Sequence, residues 1–117
     1  MTHTDMIAKV CTAAPVIPVL TIDRVEDAQP LARALVAGGL PALEITLRTA
    51  AAMEAIAAVS EVEGAMAGVG TLLTAAQIRD AKSAGATFGV SPGATHSLIE
   101  AAREYDLPLL PGAATAT

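Results

Sequence analysis

The segment Gly38-Gly39-Leu40-Pro41-Ala42-Leu43-Glu44-Ile45-Thr46-Leu47-Arg48-Thr49 runs from a helix stop through a tight turn into a strand with a polar end. Leu43, Ile45 and Leu47 alternate with Glu44, Thr46 and Arg48. A period of two sends the two sets to opposite faces of a sheet. One face is apolar. The other carries a carboxylate, a hydroxyl and a guanidinium in line, and buried charge is costly unless it is paired or used. Two arrangements satisfy such a strand. It is a solvent-facing edge, or it lines a barrel interior that holds a small anionic substrate.

Similar units flank the segment. A short helix is expected over residues 5–13, capped by Thr4 or Asp5, after a loose tail. Residues 16–21 read as a strand apolar on both faces, with Pro18, which cannot donate to the ladder, accommodated by a bulge or a locally unpaired position. A helix over 23–37 follows, with Asp23 as cap and Leu31, Leu35 and Val36 inward; Gly38 and Gly39 stop it. The central strand, 42–47, leads to a helix over 50–59, with Thr49 as cap and Met53, Ile56 and Val59 inward. Then come a strand over 65–69 and a helix over 75–84, capped by Thr74 and ended by Gly85. A strand over 87–91, a helix from Thr95 or His96 to about Tyr105, and a strand over 108–111 complete the pattern.

The chain thus repeats a strand-then-helix unit and ends on a fifth strand. Strands buried on both faces belong to a parallel sheet covered by helices. Such a sheet is either open and doubly wound or part of an eight-stranded (β/α) barrel, the TIM-barrel architecture. The open form places a Gly-rich phosphate loop after its first strand, whereas Thr21-Ile22-Asp23-Arg24 stands there without glycine. The barrel is therefore the expected α/β fold, with this chain supplying its first five strands after a leading helix. Five strands do not close a barrel of eight. Residues 1–117 are expected to form one domain, without linker or low-complexity segment, at the front of a longer polypeptide. A half-barrel in its own right is the alternative.

Composition narrows the function. Apolar residues make up 53% and charged residues 16% of the 117, too apolar a balance for disorder. The net charge of −5 offers no basic stripe for nucleic acid or for an anionic membrane surface. No stretch approaches a membrane-spanning helix, and Lys9 interrupts any signal-like apolar run. Cys11 is the sole cysteine, which fits a reducing cytoplasmic setting, and it is expected in the core or beside a helix. His3 and His96 lack metal-ligand spacing, so no metal site is expected.

In (β/α) barrels the reactive groups gather at the carboxyl ends of strands. Those ends here carry Glu44, Thr46 and Arg48, then Gly70 and Thr71, then Ser91, Pro92 and Gly93, then Pro111 and Gly112. A desolvated Glu44 gains proton affinity and suits proton transfer near neutral pH. Arg48 and Thr71 suit a carboxylate, the guanidinium by a two-pronged contact. The plainer roles are a Glu44–Arg48 structural pair, Thr71 capping a turn, and Pro92 and Pro111 as turn formers.

These motifs, taken in order, resemble the 2-keto-3-deoxy-6-phosphogluconate (KDPG) aldolases and the related 4-hydroxy-2-oxoglutarate aldolases. Gly38 to Thr49 is similar to the active-site strand of that family. Pro15-Val16-Ile17-Pro18-Val19, Val69-Gly70-Thr71-Leu72, Phe88-Gly89-Val90-Ser91-Pro92-Gly93 and Leu110-Pro111-Gly112 with Thr115 are similar to its other strand segments. The resemblance implies a class I aldolase that splits a 2-keto-3-deoxy acid phosphate into pyruvate and glyceraldehyde 3-phosphate through a lysine Schiff base, without metal or other cofactor. It implies Glu44 as general acid and base, Arg48 and Thr71 as holders of the pyruvyl carboxylate, Pro92 in the pocket wall, and a homotrimer. The family's lysine lies in a sixth-strand Lys-Phe-Phe-Pro segment that has no counterpart here. The chain's lysines, Lys9 and Lys82, are expected on the surface, the Schiff-base lysine beyond residue 117, and the chain alone without aldolase activity. Other barrel enzymes of phosphorylated metabolites, and a non-catalytic half-barrel scaffold, are the competing functions.

Overall fold

A computed structural model describes residues 1–116. Helix α1 (His3–Thr12) leads into β1 (Val19–Leu20), a 3-10 turn (Val25–Asp27) and α2 (Ala28–Ala37). Next come β2 (Ala42–Thr46), α3 (Ala52–Ser60), β3 (Met66–Gly70) and α4 (Ala75–Ala84). Strand β4 (Phe88–Ser91), α5 (His96–Glu104) and β5 (Leu109–Pro111) complete the described chain. The strands form one sheet in the order β1-β2-β3-β4-β5, each parallel to its neighbour. This order never reverses. Right-handed crossovers that all step the same way set every connecting helix on one face, whereas a doubly wound sheet reverses and carries helices on both. The architecture is a partial (β/α) barrel.

Each face of the sheet has its own core. On the helix side, fully buried Leu43, Ile45, Val69, Ile56, Val59, Ile78 and Leu107 pack together. The alternation on β2 delivers Leu43 and Ile45 to this layer, where each large aliphatic side chain contributes about 1.5–3 kcal/mol on burial. On the inner face, Val10, Ala42 and Phe88 form a second cluster with Met6, Ile7, Ile17, Met66 and Val90. Helix α1 thus covers the inner face at the end where the strands begin. The Phe88 ring lies directly over Gly68, its register partner on β3, where any Cβ would collide with it.

Local signals place most helix ends. Thr74 caps α4 in a capping box with Gln77, and Thr95 caps α5 by accepting from the Leu98 amide at 3.2 Å. Gly39 turns the chain into β2 at φ 95°, a conformation that glycine adopts without steric cost.

Several expectations are corrected. Strand β1 is two residues long, and Val16 and Val19 are more than half exposed rather than buried. β1 is the edge strand, and from Pro18 it supplies only a carbonyl, which accepts the Glu44 amide at 3.0 Å. Helix α1 starts earlier than residue 5, with Thr2 as its cap in a box with Asp5; His3 belongs to its first turn and not to a tail. Asp23 caps nothing, because the 3-10 turn intervenes before α2. Small Ala28 and Ala32 form the buried stripe of α2, while Leu31 is exposed. Thr49 does not cap α3; its hydroxyl donates to the Ile22 carbonyl at 2.6 Å and ties the two loops together. Cys11 is exposed on α1.

Gly68→Ala is expected to destabilise the chain by about 1–3 kcal/mol, because the Phe88 ring must leave its rotamer or the strands must part. Gly93→Ala, with nothing within 4 Å of its Cβ position, is the matched control. Urea unfolding of both variants is the measurement; equal midpoints would refute the packing argument.

Candidate active site

Glu44 sits at the centre of β2 on the inner face. In register it stands between Val19 of β1 and Gly68 of β3. Its carboxyl group rests against Gly70: a Cβ there would lie 2.7 Å from Glu44 Cδ and closer still to Oε2. Glycine at the end of β3 is therefore what makes room for the carboxylate. Burial pushes the Glu44 pKa above the usual carboxylate range, and the positive charge of Arg48 offsets part of that rise. The Glu44–Arg48 pair is not among the close ion pairs of the described residues, which are His3–Asp106, Arg24–Glu26 and Arg79–Asp80. Arg48 itself is exposed, in the turn that follows β2. It acts on Glu44 through space and keeps its guanidinium open to an incoming anion.

Thr71 directly follows Gly70 and is half-buried, with φ at 64°. A β-branched residue in the left-handed region is strained. The neighbouring backbone holds it there, since Leu72 N–H donates to the Val90 carbonyl at 3.2 Å and the Gly70 carbonyl accepts from Leu47 N–H at 3.0 Å. Thr71 and Arg48 thus follow the ends of two paired strands, β3 and β2, at the same end of the sheet. Pro92 is exposed after β4, and its carbonyl group lies against Gly112. Ser91 is buried; its hydroxyl donates to the Gly93 carbonyl at 2.7 Å and shapes that loop.

The strand alternation flagged Thr46 without giving it work. The structure buries it, and its hydroxyl donates to the Leu20 carbonyl at 3.0 Å, bridging β2 to the edge strand beside the site. Both lysines lie at the opposite end. Lys9 is exposed near Pro41 and Met66, where strands begin. Lys82 is exposed on α4 and donates to the Asp106 carbonyl at 2.9 Å. Among the described residues, no group of three or more His, Cys, Asp or Glu side chains is placed to hold a metal ion. Nor is any helix among them long and apolar enough to cross a membrane.

The arrangement offers a carboxyl group of raised proton affinity, a cation and a hydroxyl-bearing residue at one end of the sheet. Comparison with known proteins bears on the family of the chain. The family model described as KDPG and KHG aldolase matches residues 7–117. A 2-dehydro-3-deoxy-phosphogluconate aldolase of Zymomonas mobilis is 51% identical over 110 residues, 94% of this chain and 53% of that protein. The crystal structure of the 2-keto-3-deoxy-6-phosphogluconate aldolase of Zymomonas mobilis ZM4 with 3-phosphoglycerate superposes with a TM-score of 0.92 at 49% identity, covering 98% of this chain and 55% of that one. The KDPG aldolase of Legionella pneumophila, crystallised with pyruvate captured as a covalent carbinolamine intermediate, gives a TM-score of 0.84 at 45% identity, covering 91% and 52%. The chain spans about half the length of the curated relatives it matches. With the family model matched over residues 7–117 and relatives about half identical over most of its length, the chain belongs to the KDPG and KHG aldolase family.

Proposed function

We propose that this chain is the proton-transferring and carboxylate-holding part of a Schiff-base aldolase. The reaction is cleavage of 2-keto-3-deoxy-6-phosphogluconate to pyruvate and glyceraldehyde 3-phosphate. The observation that carries it is the Glu44 carboxyl group, made more basic by burial at the reactive end of a parallel sheet and seated on Gly70. Raising a carboxyl pKa better fits the group to give as well as to take protons. In this reading Glu44 relays protons to and from the carbinolamine and the aldol hydroxyl. Arg48 and Thr71 hold the pyruvyl carboxylate, and Pro92 lines the pocket wall. Two of the similar structures support the ligand class by what they hold, a phosphorylated three-carbon acid in one and pyruvate in the other.

The electrophile is a lysine beyond residue 117, since Lys9 and Lys82 are set at the far end of the sheet. Residues 1–117 act as one structural unit of the barrel. The working enzyme is a cytoplasmic homotrimer, and a reducing compartment suits its single exposed cysteine.

Borohydride treatment with pyruvate is expected to leave the mass of residues 1–117 unchanged. A reduced adduct on Lys9 or Lys82 would refute the placement of the electrophile. Mixed with the carboxyl-terminal half of the Zymomonas mobilis relative, the chain is expected to restore trapping on that half's lysine. Glu44→Gln is expected to lower cleavage by the restored complex by about 100-fold or more.

The pKa shift also fixes a stability trend. A carboxyl group of raised native pKa favours folding below its unfolded pKa and loses that contribution as pH rises through the native value. Glu44→Gln is therefore expected to melt level with the wild type near pH 4 and above it at pH 7.5. The gap is at most about 4 °C, because a half-exposed group keeps part of its hydration. Calorimetry at both values decides, and a wild type that is the more stable at pH 7.5 would reverse the sign.

Thr71→Gly removes the strain of φ 64° and is expected to leave stability level or raised by about 1 kcal/mol. Pyruvate binding is expected to weaken, since the hydroxyl is lost. Unchanged binding would reduce Thr71 to a turn former.

A further inference from the structure

Leu20 of β1 packs into the helix-side core, so its neighbours Val19 and Thr21 face the inner side. Val19 is the register partner of Glu44. Thr21 is exposed, and its hydroxyl oxygen lies 3.5 Å from that of Thr46, two residues beyond Glu44 on the same face. The Thr46 hydroxyl has a single proton, and it is committed to the Leu20 carbonyl at 3.0 Å. Any proton between the two hydroxyls therefore comes from Thr21. That leaves Thr21 with lone pairs turned to the open side of the inner face. An oxygen in this state accepts from a hydroxyl group and disfavours a carboxylate.

We propose that Thr21 is a specificity-determining residue, its hydroxyl accepting a hydrogen bond from a hydroxyl group on the chain of a polyhydroxylated 2-keto acid. The proposal rests on the aldolase reading above and extends it to the part of the substrate beyond the pyruvyl unit. Arg48 and Thr71 take the carboxylate, while the edge strand takes a hydroxyl further along. Pyruvate carries no hydroxyl, so it gains nothing from Thr21. The intact 2-keto-3-deoxy-6-phosphogluconate does.

The test is an NMR titration of the isotope-labelled 117-residue chain with each of the two compounds separately. Thr21→Val keeps the shape and removes the oxygen; Thr21→Ser keeps the oxygen. The expected result is a Kd for 2-keto-3-deoxy-6-phosphogluconate raised about 3- to 10-fold in Thr21→Val and restored in Thr21→Ser, the worth of one neutral hydrogen bond. The Kd for pyruvate is expected to stay unchanged in both variants. An unchanged Kd for the larger acid in Thr21→Val, or an equal rise for both ligands, would overturn the role of Thr21 and leave the aldolase reading standing. Absence of any saturable shift at Glu44, Arg48 and Thr71 with either compound would overturn the aldolase reading and this proposal with it.

Discussion

The alternation along β2 leaves Glu44 one place to go. Leu43 and Ile45 are fully buried under the helices, and a one-residue slip would exchange them for Glu44 and Thr46. That slip would put a carboxylate into an aliphatic layer at a cost of several kcal/mol. The packing of one face therefore fixes the chemistry of the other. Gly70 completes the constraint, because only a residue without a side chain admits the carboxyl group at that point of β3. Position and proton affinity of Glu44 thus follow from the same burial.

Arg48 and Glu44 show how the site keeps two opposite charges without neutralising them. A close ion pair would pull the carboxyl pKa down and occupy the guanidinium. Instead Arg48 stays exposed beyond the strand end, and burial outweighs its effect on Glu44. The strength of a charge pair falls with solvent contact, so an exposed cation lowers the pKa only in part. The cation remains exposed, and the carboxyl group keeps a raised proton affinity.

The sequence carried the five-strand order of elements and the candidate site around β2 because both depend on short-range pattern. Period-two alternation, Thr74 and Thr95 as caps, and the Gly38-Gly39 turn are all local signals. What it did not carry depended on neighbours remote in the chain. Val16 and Val19 look like buried strand residues, yet they lie at the sheet's edge. Leu31 looks like an inward residue, yet alanines set the close approach of α2. Thr49 has the residue type of a cap, and a carbonyl 27 positions earlier claims its hydroxyl. The inner-face role of α1 was equally hidden, because Val10 meets Ala42 and Phe88 only once the sheet exists. Pro92 stands in a loop that sets its carbonyl against Gly112, a contact no spacing rule reveals.

Two non-glycine residues among those described have positive φ, one at each end of the sheet. Asp106, at 55°, has ready compensation. Aspartate tolerates this conformation through local polar contacts, its carboxylate accepts from His3 at 2.7 Å, and its carbonyl accepts from Lys82 at 2.9 Å. These bonds fasten the start of α1 and the end of α4 to the turn before β5, so the strain there serves the fold. Thr71, at 64°, is β-branched and has no such tolerance of its own. Glycine at position 71 would give the same turn without cost, as it does at Gly39 and Gly85. Strain of this kind persists where the surrounding structure enforces it and a side chain is needed in that place. The stem of Thr71 follows the glycine that carries the Glu44 carboxyl group, which makes the strained position part of the same small space. The two ends of the sheet therefore set one backbone conformation in different surroundings: polar tethers at Asp106, and a β-branched residue next to the seat of the Glu44 carboxyl group at Thr71.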